Sequence, residues 1–144
     1  MKKEVLDHYD NMADEFDSIS NKYCNSRYLR EVERVVKPSD AVLEIGCGTG
    51  RLLSKIAAKT RIGCDLSGNL LHQLKRSGFS LIQADAENLP FRDSMFDVAY
   101  CVNLLEHVPH PERVVMEGLR MLKKGGRLVL ITPNGDIGLF LEVA

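Results

Sequence analysis

The stretch Val42-Leu-Glu-Ile-Gly-Cys-Gly-Thr-Gly50 constrains this chain more than any other. An apolar run of strand character ends in three glycines at alternate positions, and a helical pattern follows. Glycines at such a bend let the backbone turn tightly and bring its amides against a ligand with no side chain in between. The same residues also suit a plain strand-to-helix turn that holds nothing. The dinucleotide fingerprint GxGxxG would need glycine at position 51, which is Arg51. Glu44 is out of keeping with a buried strand, because a carboxylate there must find donors.

Around this bend, short apolar runs alternate with helical periodicities, the mark of β-α units and a parallel sheet. Strands are expected at Ala41–Gly46, Arg61–Leu66, Ser80–Asp85, Phe96–Asn103 and Arg127–Thr132. Helices are expected at Arg51–Lys59, Asn69–Arg76 and Glu112–Lys124, the last opened by Pro111 and closed by Gly125-Gly126. Two amphipathic helices precede the sheet within residues 4–37, stopped by Pro38. Asn88–Ser94 reads as a loop. No repeat or linker interrupts the pattern, so residues 1–144 read as a single domain.

The 144 residues are 44% hydrophobic and 27% charged, which suits a folded chain and excludes wholesale disorder. Nineteen basic against twenty acidic side chains leave a net charge of −1, so no pull toward nucleic acid is expected. The longest apolar runs, such as Arg127-Leu-Val-Leu-Ile-Thr132, fall far short of the roughly 20 residues a membrane span needs. The N-terminus turns acidic after two lysines, so no secretory signal is read. Cys24, Cys47, Cys64 and Cys101 show no CxxC spacing, which fits reduced thiols in the cytoplasm.

Two acids stand at expected strand ends. Asp65, twenty-one residues after Glu44, is placed to accept ribose hydroxyls, or alternatively to cap the next helix together with Ser67. Asp85 can take an exocyclic amine of adenine, with a neighbouring amide donating to a ring nitrogen, or it is simply a surface acid. In open α/β sheets, ligands sit beyond the carboxyl ends of the strands where the strand order reverses. The glycine bend, Asp65 and Asp85 would meet there, on three successive strands.

These residues, with Ala84-Asp-Ala-Glu-Asn-Leu-Pro-Phe91, Phe96-Asp-Val-Ala-Tyr-Cys-Val-Asn103, Leu105-Glu-His-Val108 and Leu122-Lys-Lys-Gly-Gly-Arg-Leu-Val-Leu130, make a pattern. It resembles the class I S-adenosylmethionine-dependent methyltransferases, of the small-molecule type similar to the enzymes of ubiquinone and menaquinone biosynthesis. Tyr9-Asp-Asn-Met-Ala-Asp-Glu-Phe-Asp17 resembles that family's N-terminal helix over the cofactor. The resemblance implies an α/β, Rossmann-like, doubly wound and mostly parallel sheet of about five strands, order 3-2-1-4-5, with helices on both faces. It implies methyl transfer from S-adenosylmethionine to a small-molecule acceptor, with S-adenosylhomocysteine as product. Gly46, Cys47, Gly48 and Gly50 would pack against the methionine part, with Glu44 holding the loop. Asp65 would bind the ribose, Leu66 would lie against adenine, and Asp85 and Ala86 would read its edge. Cys101, Val102 and Asn103 would face the sulfonium. Tyr9, with Arg27, would close the pocket over the amino-acid end.

No catalytic residue is identified beyond the candidate His107, which lies on the family's acceptor-side loop and either acts as a base or supports packing. His107-Val-Pro-His110 has a short spacing, yet Pro109 and Pro111 keep it from forming the helical face that would converge two imidazoles, so no metal is expected. The family's full domain has seven strands, whereas only Gly135 to Ala144 remain after the fifth strand here. Both faces of that strand want cover, Leu128 and Leu130 on one side and Val129 and Ile131 on the other. The chain is therefore either cut short relative to the family, or its edge is covered by its own tail or by a second copy in a homodimer. Two other functions stay open: a non-catalytic S-adenosylmethionine- or S-adenosylhomocysteine-binding module or remnant, and a nicotinamide-dependent oxidoreductase, against which Arg51 counts.

Overall fold

The computed structural model describes residues 2–16, 18, 26–73, 78–133 and 139–142. Its centre is a six-stranded sheet of β1 (Ala41–Ile45), β2 (Thr60–Asp65), β3 (Ser80–Gln83), β4 (Phe96–Val102), β5 (Leu122–Ile131) and β6 (Leu139–Glu142), in the order β3-β2-β1-β4-β5-β6. The first five strands run parallel in the expected order 3-2-1-4-5, and β6 is antiparallel to β5. The chain winds outward from β1 to β3, then returns to place β4 on the other side of β1. The order therefore reverses between β1 and β4, and a crevice opens beyond their carboxyl ends.

Central strands covered on both faces read as continuous apolar runs, and β1 and β4 are buried along most of their length. Alternation sends Val42, Tyr100, Val129 and Ile131 to one face, with Val32 of the Ser26–Glu33 helix and Leu53 and Ile56. Leu43, Ile45, Cys101, Leu128 and Leu130 go to the other face, under Val114 of the Pro111–Arg120 helix. The expected division of β5 between two covered faces is what the structure contains.

Two sequence expectations are corrected, and one of the alternatives for the β5 edge is observed. A single 3₁₀ turn, Leu53–Lys55, replaces the helix expected over Arg51–Lys59. The Arg61 guanidinium draws the Leu53, Ser54 and Ile56 carbonyls to one nitrogen at 3.2–3.4 Å, acceptors that a continuing helix would have used. The last helix ends at Arg120 rather than Lys124, and its Lys-Lys-Gly-Gly sequence belongs to β5. There the pairing steps from Phe96↔Leu122 to Val98↔Arg127, two residues on β4 against five on β5, so the lysines and glycines bulge from the ladder. Finally, the tail supplies β6, which pairs Leu130 with Leu139 and Arg127 with Glu142. That is the self-covering alternative, and it removes the bare β5 edge on which pairing with a second copy was premised.

The helix expected over Asn69–Arg76 is observed at Gly68–His72, capped by the Ser67 hydroxyl, which accepts from the Leu70 amide at 3.2 Å; residues 74–77 lie outside the described residues. At the N-terminus the Lys2–Met12 helix precedes the Ser26–Glu33 helix. No helix among the described residues is long and apolar enough to cross a membrane.

Candidate functional site

A cavity of about 450 Å³ lies at the carboxyl ends of the strands, within the range of small-molecule sites. Its floor is the glycine bend. Gly46 and Cys47 donate their amides to the Cys64 carbonyl at 2.8 and 2.9 Å, which ties the bend to β2. Gly46 (φ 73°) and Gly48 (φ 54°) adopt the left-handed region that side chains disfavour. A Cβ on Gly48 would also stand 2.9 Å from the Phe16 ring, so the roof rests directly on this glycine.

Asp65 ends β2 inside the cavity. Its Oδ2 accepts the Gly48 amide at 2.8 Å and its Oδ1 the Ser67 amide at 2.9 Å. The carboxylate thus fastens the turn between β2 and the next helix, while Ser67 caps that helix, and each Asp65 oxygen keeps a lone pair free. Burial pushes its carboxyl upward, and the amides of Ser67, Gly48 and Leu66 pull back toward the ionised form. Ser67 also donates its hydroxyl to Asp10 of the Lys2–Met12 helix.

Glu44 is 4% exposed and finds the donors its burial demands. The Tyr100 hydroxyl donates to Oε2 at 3.1 Å, and the Leu53 backbone provides a second hydrogen bond. Burial dominates all the same and pushes this carboxyl up to about 8, so at neutral pH it is protonated.

Asp85, two residues past β3, accepts the Glu87 amide on Oδ1 at 3.0 Å and the Lys2 ammonium on Oδ2 at 2.6 Å. Burial alone would raise the Asp85 carboxyl, but the Lys2 ammonium and the Glu87 amide together outweigh it and hold it below its ordinary range; Lys2 also reaches Glu87 Oε2 at 3.0 Å. Leu66 and Ala86 line the cavity between the two acids' loops.

The end of β4 contributes Val102 and Asn103. Asn103 has φ 51°, donates its amide to the Ile131 carbonyl at 2.9 Å, and carries a buried Oδ1 without a hydrogen-bond partner among the described residues. Over the cavity, Tyr9 makes edge-to-face contacts with Phe16 and with His107, ring centroids 6.0 and 5.7 Å apart.

Of the residues singled out in the sequence, Tyr9, Glu44, Gly46, Cys47, Gly48, Asp65, Leu66, Asp85, Ala86, Val102, Asn103 and His107 line this one cavity. Three do not. Cys101 is wholly buried in the opposite core, because strand alternation turns it away from Val102. Gly50 is buried and closes the bend by donating to the Cys47 carbonyl at 2.8 Å. Arg27, at the start of the Ser26–Glu33 helix, is exposed and lies outside the lining. Burial raises the Cys64 and Cys101 thiols to about 12, and Cys47 is likewise raised, so none is a nucleophile near neutral pH. Among the described residues no group of three or more His, Cys, Asp or Glu could hold a metal. His107 pairs instead with Glu106 at 3.7 Å and His110 with Glu112 at 3.3 Å. Met12 and Phe16, within the segment from Tyr9 expected over the cofactor, also line the cavity, whereas sequence reasoning missed Lys2 and Leu104.

Residues 43–130 match the protein family described as "Methyltransferase domain". The Mus musculus protein named "Probable tRNA methyltransferase 9B" is 32% identical over 132 residues, 90% of this chain and 29% of that protein. A Pseudomonas fluorescens ubiquinone biosynthesis O-methyltransferase is 38% identical over 115 residues, 71% of this chain and 48% of that protein. Among solved structures, a SAM-dependent methyltransferase of Thermotoga maritima superposes with a TM-score of 0.75 at 29% identity, covering 88% of this chain and 60% of that one. The chain thus spans less than two thirds of the length of each of these relatives.

Proposed function

The chain belongs to the class I S-adenosylmethionine-dependent methyltransferases, and from that premise we propose that it transfers a methyl group from S-adenosylmethionine to a small-molecule acceptor, releasing S-adenosylhomocysteine. The observation that carries this reading is the meeting of Asp65, Asp85 and the glycine bend in one cavity. The residues fit the cofactor: Asp65 keeps acceptor capacity for two ribose hydroxyls, positive-φ glycines leave the methionine end unobstructed, and the buried Asn103 Oδ1 awaits a donor.

When bound, the cofactor supplies a methyl group on a positively charged sulfur, already activated for displacement. The chain's own residues then have three tasks. Asp65 and Leu66 hold the ribose and one face of adenine, while Asp85 and the Ala86 amide read the purine edge. Glu44, neutral and bonded to Tyr100, keeps the glycine bend in place beneath the methionine end. Tyr9, Phe16 and His107 would exclude water from the side of the cavity where the acceptor would be held. Where the acceptor must lose a proton, His107 Nε2, which faces Glu106, is the group placed to take it.

A small molecule is favoured over a polynucleotide by the net charge of −1 and by a cavity whose lining carries more carboxylates than cations. The name of the mouse relative raises tRNA as the second reading. The setting proposed is the cytoplasm, where Cys47, Cys64 and Cys101 would stay reduced as the free thiols they are here. The test is transfer of labelled methyl groups to a panel of phenols, amines and thiols, and in parallel to bulk tRNA, read as S-adenosylhomocysteine released. Label in the small molecules supports the reading, and label in tRNA alone overturns the acceptor class. Binding without transfer to either leaves the chain a cofactor-binding module.

A further inference from the structure

The Lys2–Met12 helix roofs the cavity, with Val5, Tyr9 and Met12 facing into it at helical spacing. It is fastened at two points, and both lie on residues that border the expected adenosine site. At its C-terminal end Asp10 accepts from Ser67, whose amide is bound to Asp65. At its N-terminal end the Lys2 ammonium sits on Asp85 Oδ2 at 2.6 Å and on Glu87 Oε2 at 3.0 Å. Lys2 thus holds the very oxygen of Asp85 that its other contact, the Glu87 amide on Oδ1, leaves available.

We propose that Lys2 is an internal competitor for the purine edge: its ammonium occupies Asp85 Oδ2 and must give up that oxygen for an exocyclic amine of the ligand to bind. The inference rests on the reading of Asp85 as the purine-facing acid. Glu87 makes the exchange feasible, because its buried carboxylate, with a side chain only 2% exposed, lies within reach of the same ammonium. On ligand entry Lys2 withdraws to Glu87, Asp85 Oδ2 passes to the purine, and the roof stays fastened. Affinity for adenosine ligands is then set partly by how well the roof helix is latched, since an apparent dissociation constant rises as the competent fraction falls.

The latch and the competition have separate readouts. In the unliganded protein, Lys2→Gln should speed amide exchange across the Lys2–Met12 helix, whereas Lys3→Gln, which removes a charge from an exposed neighbour, should leave it unchanged. In calorimetric titration with S-adenosylhomocysteine, Lys2→Gln should tighten binding about two- to five-fold over wild type, a range suited to a partly exposed ion pair. Added salt should tighten the wild type toward the variant and leave the variant unmoved. Equal exchange in the two variants overturns the latch. An unchanged or weaker affinity in Lys2→Gln, against a wild type that binds, overturns the competition. A wild type that binds no S-adenosylhomocysteine defeats the reading of the site itself, and the exchange result then still decides the latch.

Discussion

The Gly48 amide donates to Asp65 Oδ2 at 2.8 Å, across seventeen residues of chain. The bend after β1 and the acid at the tip of β2 are therefore one unit, so a change in either should be felt by both.

Asp65→Ala removes the acceptor of the Gly48 and Ser67 amides together with the proposed ribose acceptor. S-adenosylhomocysteine affinity should fall by about 1–3 kcal/mol, the usual loss when hydrogen bonds to a charged acceptor vanish. Calorimetry on the folded variant checks it. Unchanged affinity with the fold intact would show that the acid serves only the turn.

Gly48→Ala asks an L residue to hold φ 54° and to place its Cβ 2.9 Å from Phe16 Cε1. Strain and contact together should destabilise the chain by roughly 1–3 kcal/mol. Adding Phe16→Ala should recover only the contact part. Full recovery in the double variant, seen in denaturant midpoints, would mean the backbone there is unstrained.

Glu44 ties stability to pH. Its carboxyl, ordinarily near 4.5, rises to about 8 in the fold, so the folded chain holds a proton that the unfolded chain releases. This contribution is fully present below about pH 4.5 and is lost as pH climbs through about 8, on the order of 5 kcal/mol in all. Asp65, also raised by burial, adds in the same direction. Asp85, Asp97 and Glu117 are lowered and act only in acid, where their contributions are lost as pH falls. Urea midpoints from about pH 5 to pH 8 should decline in the wild type and flatten in Glu44→Gln. Equal slopes would refute the buried neutral carboxyl.

Arg120 fastens the loop that leads into β4. It grips Glu117 at 2.8 and 2.9 Å, Asp93 at 2.7 Å and the Phe91 carbonyl at 2.8 Å, while Glu117 accepts the Leu89 amide at 2.7 Å. Arg120→Met should destabilise by roughly 1–3 kcal/mol through the unpaired Glu117 carboxylate. Because the cluster lies away from the cavity lining, S-adenosylhomocysteine affinity should stay near wild type. A large loss of affinity at unchanged stability would contradict this division.

Much of this was legible in the sequence because its causes are local. Three alternate glycines after an apolar run, acids at strand ends and the period-two division of β5 each follow from backbone geometry within a few residues. What was not legible depends on which partner a side chain finds. Arg61 takes carbonyls only five to eight residues before it, but no periodicity marks that choice, and nothing near Lys2 points to Asp85, eighty-three residues away. Cys101 is a different case. Counting alternation back from Val102 would have turned it to the opposite face, but the run of apolar residues in β4 hides which parity meets the cavity. The end of the last helix is not legible because Lys-Lys-Gly-Gly is good C-terminal sequence for a helix and equally good sequence for a bulge at the start of a strand.

The most direct measurement is a calorimetric titration of the unmodified chain with S-adenosylmethionine and, separately, with NAD. Saturable one-to-one binding of S-adenosylmethionine with no heat from NAD is the predicted result. Saturation by NAD, or no binding of S-adenosylmethionine by a chain that is demonstrably folded, would contradict the account.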